Sequence, residues 1–114
     1  MSTMPFEFGN VVLVPFPFTN LAAIKQRPAV VVSSRIYNGA KPDIVIMPIT
    51  SQLRSLSSLG EVLISERRQA SLLKPSVIKP VFATLEQRLV IRLLGNLQAR
   101  DQAVLHAAIA VVFG

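Results

Sequence analysis

The apolar positions of the chain fall in short runs rich in Val and Ile: Val11–Phe16, Ala29–Ser33, Asp43–Ile49, Glu61–Ser65, Pro80–Leu85 and Arg88–Leu94. Each has the length of a strand and the β-branched content that suits a pleated surface. Turn-formers stand between most of them: Pro15 and Pro17, the Asn38-Gly39 pair, Pro42, Gly60, Pro75, Pro80 and Gly95. Short strands at this spacing predict a small barrel or sandwich. Arg88–Leu94 is open to a second reading, as a short helical turn. The pattern changes over Gln98–Val112, a stretch rich in Ala and Leu without Gly or Pro, which predicts a helix. Asp101 falls in its first turn, where a carboxylate meets the positive end of the helix dipole. Val104, Ala107, Ala108, Val111 and Val112 are expected to form its apolar face, widened by Leu105 and Ile109. A helix this apolar needs a cover, from the barrel, from a second subunit, or from both.

The remaining segments read as loops: Thr19–Gln26, the Ser-rich Thr50–Leu59 and the basic Arg67–Ser76. In a small barrel they could converge at one end. The 114 residues, half of them hydrophobic, suit one domain over residues 1–114 with one core. With no Cys, disulfides, thiol catalysis and thiolate metal sites are excluded, and the lone His106 cannot build a His-rich zinc site. No apolar run is long enough to span a bilayer. Met1–Pro5 lacks the basic start and long apolar run of a signal peptide, so the expected compartment is the cytoplasm, away from any membrane. The net charge is +6. Glu7 is the one charge before residue 25, so the excess of cations lies entirely in residues 25–114. A basic surface of this kind suits a polyanion, nucleic acid above all. Arg67, Arg68, Lys74, Lys79, Arg88 and Arg92 cluster within residues 67–92, as a solvated face or as a track for a phosphate backbone.

Three ordered motifs carry a resemblance. They are Gly9-Asn10-Val11-Val12-Leu13-Val14-Pro15-Phe16-Pro17-Phe18-Thr19, Gln26-Arg27-Pro28-Ala29-Val30-Val31-Val32-Ser33 and Met47-Pro48-Ile49-Thr50-Ser51-Gln52. A looser fourth is Leu73-Lys74-Pro75-Ser76-Val77-Ile78 with Ala83-Thr84-Leu85, succeeded by Gly95 and the closing helix. Over nearly the whole chain this set resembles the MazF/PemK toxin family, a relative of the Kid and CcdB toxins. The resemblance implies a mainly β fold, a small SH3-like barrel of about five to six strands with a C-terminal α-helix. It implies a homodimer with single-stranded RNA in a groove shared by the two subunits. It further implies metal-independent, cofactor-free cleavage at a short sequence, in which the RNA's own 2′-hydroxyl attacks. The products carry a 2′,3′-cyclic phosphate and a free 5′-hydroxyl. A cognate antitoxin would cover the groove, and operator DNA would be bound only together with it.

Such a reaction needs a base for the 2′-hydroxyl, positive charge for the phosphorane and an acid for the leaving 5′-oxygen. Arg27 matches the family's Arg-Pro arginine, and its guanidinium fork suits a phosphate. A purely structural role would be to cover the barrel edge with its stem. Thr50 matches the family's threonine at the end of the third strand, where its hydroxyl would hold a phosphate oxygen or the 2′-hydroxyl; the structural alternative is a strand-end cap. Arg27 and Thr50 are the expected catalytic pair. Ser51, Gln52, Lys25, Phe18, Thr19, Ser76 and Lys79 are the expected substrate-binding residues, with Phe18 able to stack a base or to pack at the rim. The base is less clear. The first loop, Asn20 to Gln26, holds neither acid nor His, and Pro80 stands where some family members carry an Asp. Charge stabilisation by Arg27 and Lys79 with positioning by Thr50, an acid from elsewhere such as Glu61 or Glu86, and a slow or inactive copy all remain open. His106 lies mid-helix and reads as a surface or interface residue. Two other readings stand beside the ribonuclease: a non-catalytic barrel that binds nucleic acid or a partner, and a CcdB-like gyrase poison.

Overall fold

The computed structural model describes residues 6–16, 25–53 and 59–114. Among the described residues, seven strands alternate with a short helix, a 3-10 turn and the closing helix. The strands are β1 (Asn10–Phe16), β2 (Lys25–Val31), β3 (Asp43–Thr50), β4 (Val62–Leu63), β5 (Val77–Ile78), β6 (Ala83–Glu86) and β7 (Arg92–Asn96). Helix α1 is Arg35–Ala40, the 3-10 turn Gln87–Leu89 and helix α2 Ala99–Phe113. Every pairing is antiparallel, in the order β4-β5-β3-β2-β1-β7, with β6 also on β3. Strand β3 changes partner along its length: β6 takes Asp43 to Ile46, and β5 takes Ile49 and Thr50. That change, with an irregularity between Val11 and Val12 in the β1–β7 pair, helps the sheet curl. The expected mainly β fold with a C-terminal helix is what forms, as a curled half-barrel. The strand beyond six is β5, a two-residue pair too short to show in a hydrophobic pattern.

Period-two alternation fills both faces of the central strands. Val11, Val30, Met47 and Ile49 join Leu97 and Leu105 in one core, under α2. Val12, Val14, Ala29, Val31, Ile44 and Ile46 join Leu85 in a second, with Leu89 and Val90 packed against it. Because the sheet is covered on both sides, β1 and β2 read as near-continuous apolar runs.

Several local expectations change. Strand β2 starts at Lys25, ahead of the apolar run, because Lys25, Gln26 and Arg27 pair with Phe16, Pro15 and Val14 of β1 while staying exposed. Arg88–Leu94 divides into the 3-10 turn and the first part of β7, so each of its two readings describes a portion. Asn38-Gly39 lies in α1 rather than in an open turn. Ser34 caps that helix by accepting from the Tyr37 N–H at 3.1 Å. Asn38 is buried, accepting from the Ser33 hydroxyl and donating to the Phe6 carbonyl at 2.7 Å. Gly95 is no turn-former either. It lies within β7 because the Gln69–Ala70 backbone crosses over it: a Cβ there would stand 2.3 Å from the Gln69 carbonyl oxygen.

Helix α2 begins one residue later than expected and is rotated from the predicted face. Asp101 and Leu105 are buried, with Ala108 and Ile109 packed on the core. Val104, Val111 and Val112 remain 48%, 56% and 42% exposed. The displaced face centres on Asp101, which accepts from the Ser65 N–H at 3.0 and 3.1 Å, the Ser65 hydroxyl at 2.7 Å and the Glu66 N–H at 2.9 Å. Satisfying a buried carboxylate in this way outweighs the small gain from turning one more valine inward. Among the described residues, no helix is long and apolar enough to cross a membrane.

Candidate nucleic-acid interface

One end of the sheet, where β1 ends, β2 begins and β3 ends, opens into a broad groove of about 990 Å³. Strand register brings its polar residues together. Ala29 of β2 lies opposite Pro48 of β3. Two residues further along each strand, on the same face by alternation, stand Arg27 and Thr50. Both line the groove. Arg27 is exposed, and its guanidinium carbon lies 5.9 Å from the centre of the Phe16 ring, within range of a cation–π contact. Thr50 Oγ1 accepts from the Gln52 N–H at 3.1 Å. That bond forms a strand-end turn and leaves the hydroxyl hydrogen to donate to a ligand. The structural and functional readings of Thr50 are therefore compatible. Ser51 and Gln52 come next along the rim, both exposed.

The opposite wall comes from β4, β5 and the loop between them. Lys79 directly succeeds β5 and donates its backbone N–H to the Pro48 carbonyl at 3.0 Å, which docks it beside the end of β3. Its ammonium forms an ion pair with Glu61, whose side chain is 9% exposed against 42% for Lys79. The loop is braced in several places. Arg67 donates to the carbonyls of Leu72 and Leu73. Ser71, in the left-handed region at φ 60, donates its hydroxyl to the Leu94 carbonyl at 2.6 Å. Ser76 is 4% exposed and donates its hydroxyl to the Lys74 carbonyl at 2.9 Å, so that group serves the loop although the residue touches the groove.

Among the described residues, the groove's charged lining is Arg27, Lys74, Lys79 and Arg92 against Glu61 alone. Cations at this density suit a chain of phosphates. The other cations of residues 67–92 do not share this site: Arg67 braces the loop, Arg68 does not line the groove, and Arg88 pairs with Glu86 at 2.8 Å on the surface. Lys25, at the exposed start of β2, is also outside the lining. Phe18 and Thr19 lie outside the described residues. Among the described residues, the aromatic ring at the groove is Phe16, whose spacing from Val12 and Val14 puts it on the Arg27 face. Phe82 packs on the core and against Phe113, ring centres 4.9 Å apart. His106 stacks on Phe8 at 3.9 Å on the exposed side of α2, away from the groove. Among the described residues, no three His, Asp or Glu side chains converge.

Solved structures share this fold. An endoribonuclease in complex with its cognate antitoxin, from a mycobacterial species, superposes with a TM-score of 0.78 at 17% identity, covering 96% of this chain and 95% of that one. A MazE–MazF structure from Deinococcus radiodurans gives 0.74 at 21% identity, with 98% of each chain covered. The Mycobacterium tuberculosis toxin MazF-mt6 gives 0.71 at 22% identity, covering 91% of this chain and 95% of that one. No curated protein matches. At these identities the likeness is one of fold. Residues 7–113 match the sequence model of the PemK-like, MazF-like toxins of type II toxin–antitoxin systems, and the chain belongs to that family.

Proposed function

We propose that this chain is the toxin of a type II toxin–antitoxin pair, a one-domain endoribonuclease that cuts single-stranded RNA without a metal. The observation that carries the reading is the placement of Arg27 and Thr50 on one face of a cation-lined groove. The 2′-hydroxyl of one nucleotide attacks the adjacent phosphorus, and the P–O5′ bond breaks. Charge then accumulates on the non-bridging oxygens. Arg27 offers them a planar fork that never deprotonates, and Phe16 beneath it limits the directions in which that fork can point. Thr50 donates its hydroxyl to a phosphate oxygen, in an orientation set by the Gln52 N–H. Lys74 holds a flanking phosphate, Lys79 adds charge at the scissile one, and Ser51 and Gln52 offer hydrogen bonds to base edges.

The same groove suits an antitoxin. The mycobacterial endoribonuclease was solved in complex with its cognate antitoxin, and the Deinococcus structure pairs MazF with MazE. An acidic antitoxin segment would compete with RNA for the same cations. A homodimer accords with the exposed Val104, Val111 and Phe113 on α2. The compartment proposed is the cytoplasm, where transcripts are found.

Controlled expression tests the reading in cells. The wild-type chain should arrest growth and leave transcripts with new 5′-hydroxyl ends, and Arg27→Ala should do neither. Growth arrest without RNA fragmentation would move the assignment to another target, gyrase included. Arrest unchanged in Arg27→Ala would refute the site.

A further inference from the structure

The groove contains one group that a pure polyanion cradle would not carry. Glu61 is a carboxylate among cations, on the surface that phosphates would approach. Its side chain is 9% exposed and held against Lys79. A carboxylate so shielded from water is costly even when paired, and here it also repels the ligand.

Register shows where it stands. Val62 pairs with Ile78, and Ile78 with Ile49. One residue on, Glu61 comes level with Lys79, and Lys79 is bonded to the backbone of Pro48. Alternation places Glu61, Lys79, Pro48 and Thr50 on one face. Only β5 separates β4 from β3, so the two backbones are about 10 Å apart. A phosphodiester and the two side chains can span that gap.

We propose that Glu61 is the base of the reaction, the role for which the first loop and position 80 supply no acid; this rests on the ribonuclease reading. The proton of the 2′-hydroxyl passes to the Glu61 carboxylate as the 2′-O–P bond forms and the P–O5′ bond breaks. The departing 5′-oxygen takes a proton from the Lys79 ammonium. Lys79 recovers it from Glu61 across their contact, so the pair ends as it began. The surrounding cations offset the repulsion that a lone carboxylate would exert on RNA.

The cut site of the wild-type protein is first mapped on a long single-stranded RNA. Two oligonucleotides spanning it are then used: one all-RNA, for single-turnover cleavage, and one with a single 2′-deoxy nucleotide at the cut, for binding without reaction. Glu61→Gln keeps the shape and removes the base. It should lower the cleavage rate by about 10²–10⁴-fold, with binding of the 2′-deoxy oligonucleotide unchanged or tighter. Glu61→Asp, one methylene shorter, should recover part of the rate. A Glu61→Gln rate within about fivefold of wild type overturns the assignment while the ribonuclease reading stands. So does a fall in rate matched by equal losses of binding and melting temperature, which marks a structural ion pair. A wild-type protein that leaves the RNA intact overturns both readings.

Discussion

Replacing Asp101 by alanine should loosen the wall of the groove from the core. The carboxylate is 1% exposed and gathers the Ser65 N–H, the Ser65 hydroxyl and the Glu66 N–H onto the first turn of α2. A hydrogen bond to a charged group contributes about 1.5–3 kcal/mol. Ser65 and Glu66 are themselves exposed, so water can reach donors left without their acceptor. The lower part of the range therefore applies, and three bonds that share one carboxylate do not add in full, so the variant should lose about 2–4 kcal/mol in all. At about 4 °C per kcal/mol for a chain of this size, its melting point should fall by roughly 8–16 °C. Asp101→Asn, which keeps one acceptor oxygen, should lose about half as much. Burial acts to raise the Asp101 pKa, but hydrogen bonds from Glu66 and Ser65, with Arg100 nearby, outweigh it and hold the carboxyl below its ordinary value. A carboxyl depressed in this way contributes stability above its unfolded pKa of about 3.9, and that contribution is lost as pH falls toward the folded value. The gap between wild type and Asp101→Asn should be constant above about pH 5 and close below about pH 4. Thermal denaturation from about pH 3 to pH 8 reads both effects. A melting point within about 2 °C of wild type for Asp101→Ala, or a gap that widens in acid, would refute the reasoning.

Three further outcomes are expected. Gly95→Ala places a methyl 2.3 Å from the Gln69 carbonyl oxygen, where backbone must yield; denaturant titration should show a loss of about 1–3 kcal/mol or more. Thr50→Val keeps the shape and removes the hydroxyl, so single-turnover cleavage should slow about 10²-fold while RNA affinity changes little; an unchanged rate would leave Thr50 a strand-end turn and nothing more. RNA affinity should fall with salt along a log–log slope between about −2 and −3, for three or four cations each releasing about 0.7 counterion. A slope near zero, measured by fluorescence anisotropy, would mean that phosphates do not enter the groove.

The strands β1, β2 and β3 were legible because burial on both faces makes each a near-continuous β-branched run, and a run such as Val11–Val14 has few other uses. The motifs then placed Arg27 and Thr50 at one end of that sheet. Strand register was not legible, because it depends on which residues pair. Lys25 to Arg27 look like loop in composition, yet β1 holds them in a strand. The face of α2 was misjudged for a related reason. Hydrophobic periodicity counts valines, whereas the helix is fixed by Asp101, whose partners Ser65 and Glu66 lie about 35 residues away in sequence. Gly95 and Asn38 resemble turn residues until tertiary contact shows one under a crossing backbone and the other inside a polar network. Glu61 was nameable as an acid, but its place beside Lys79 in the groove emerges only from the pairing of β4 with β5.

The measurement closest to the central claim is incubation of the purified chain, folded and free of antitoxin, with a long single-stranded RNA in EDTA, and then analysis of the product ends. Fragments bearing 2′,3′-cyclic phosphate and 5′-hydroxyl ends are expected, and none with Arg27→Ala. RNA left intact by the folded wild-type protein, or fragments carrying 5′-phosphates, would contradict the claim.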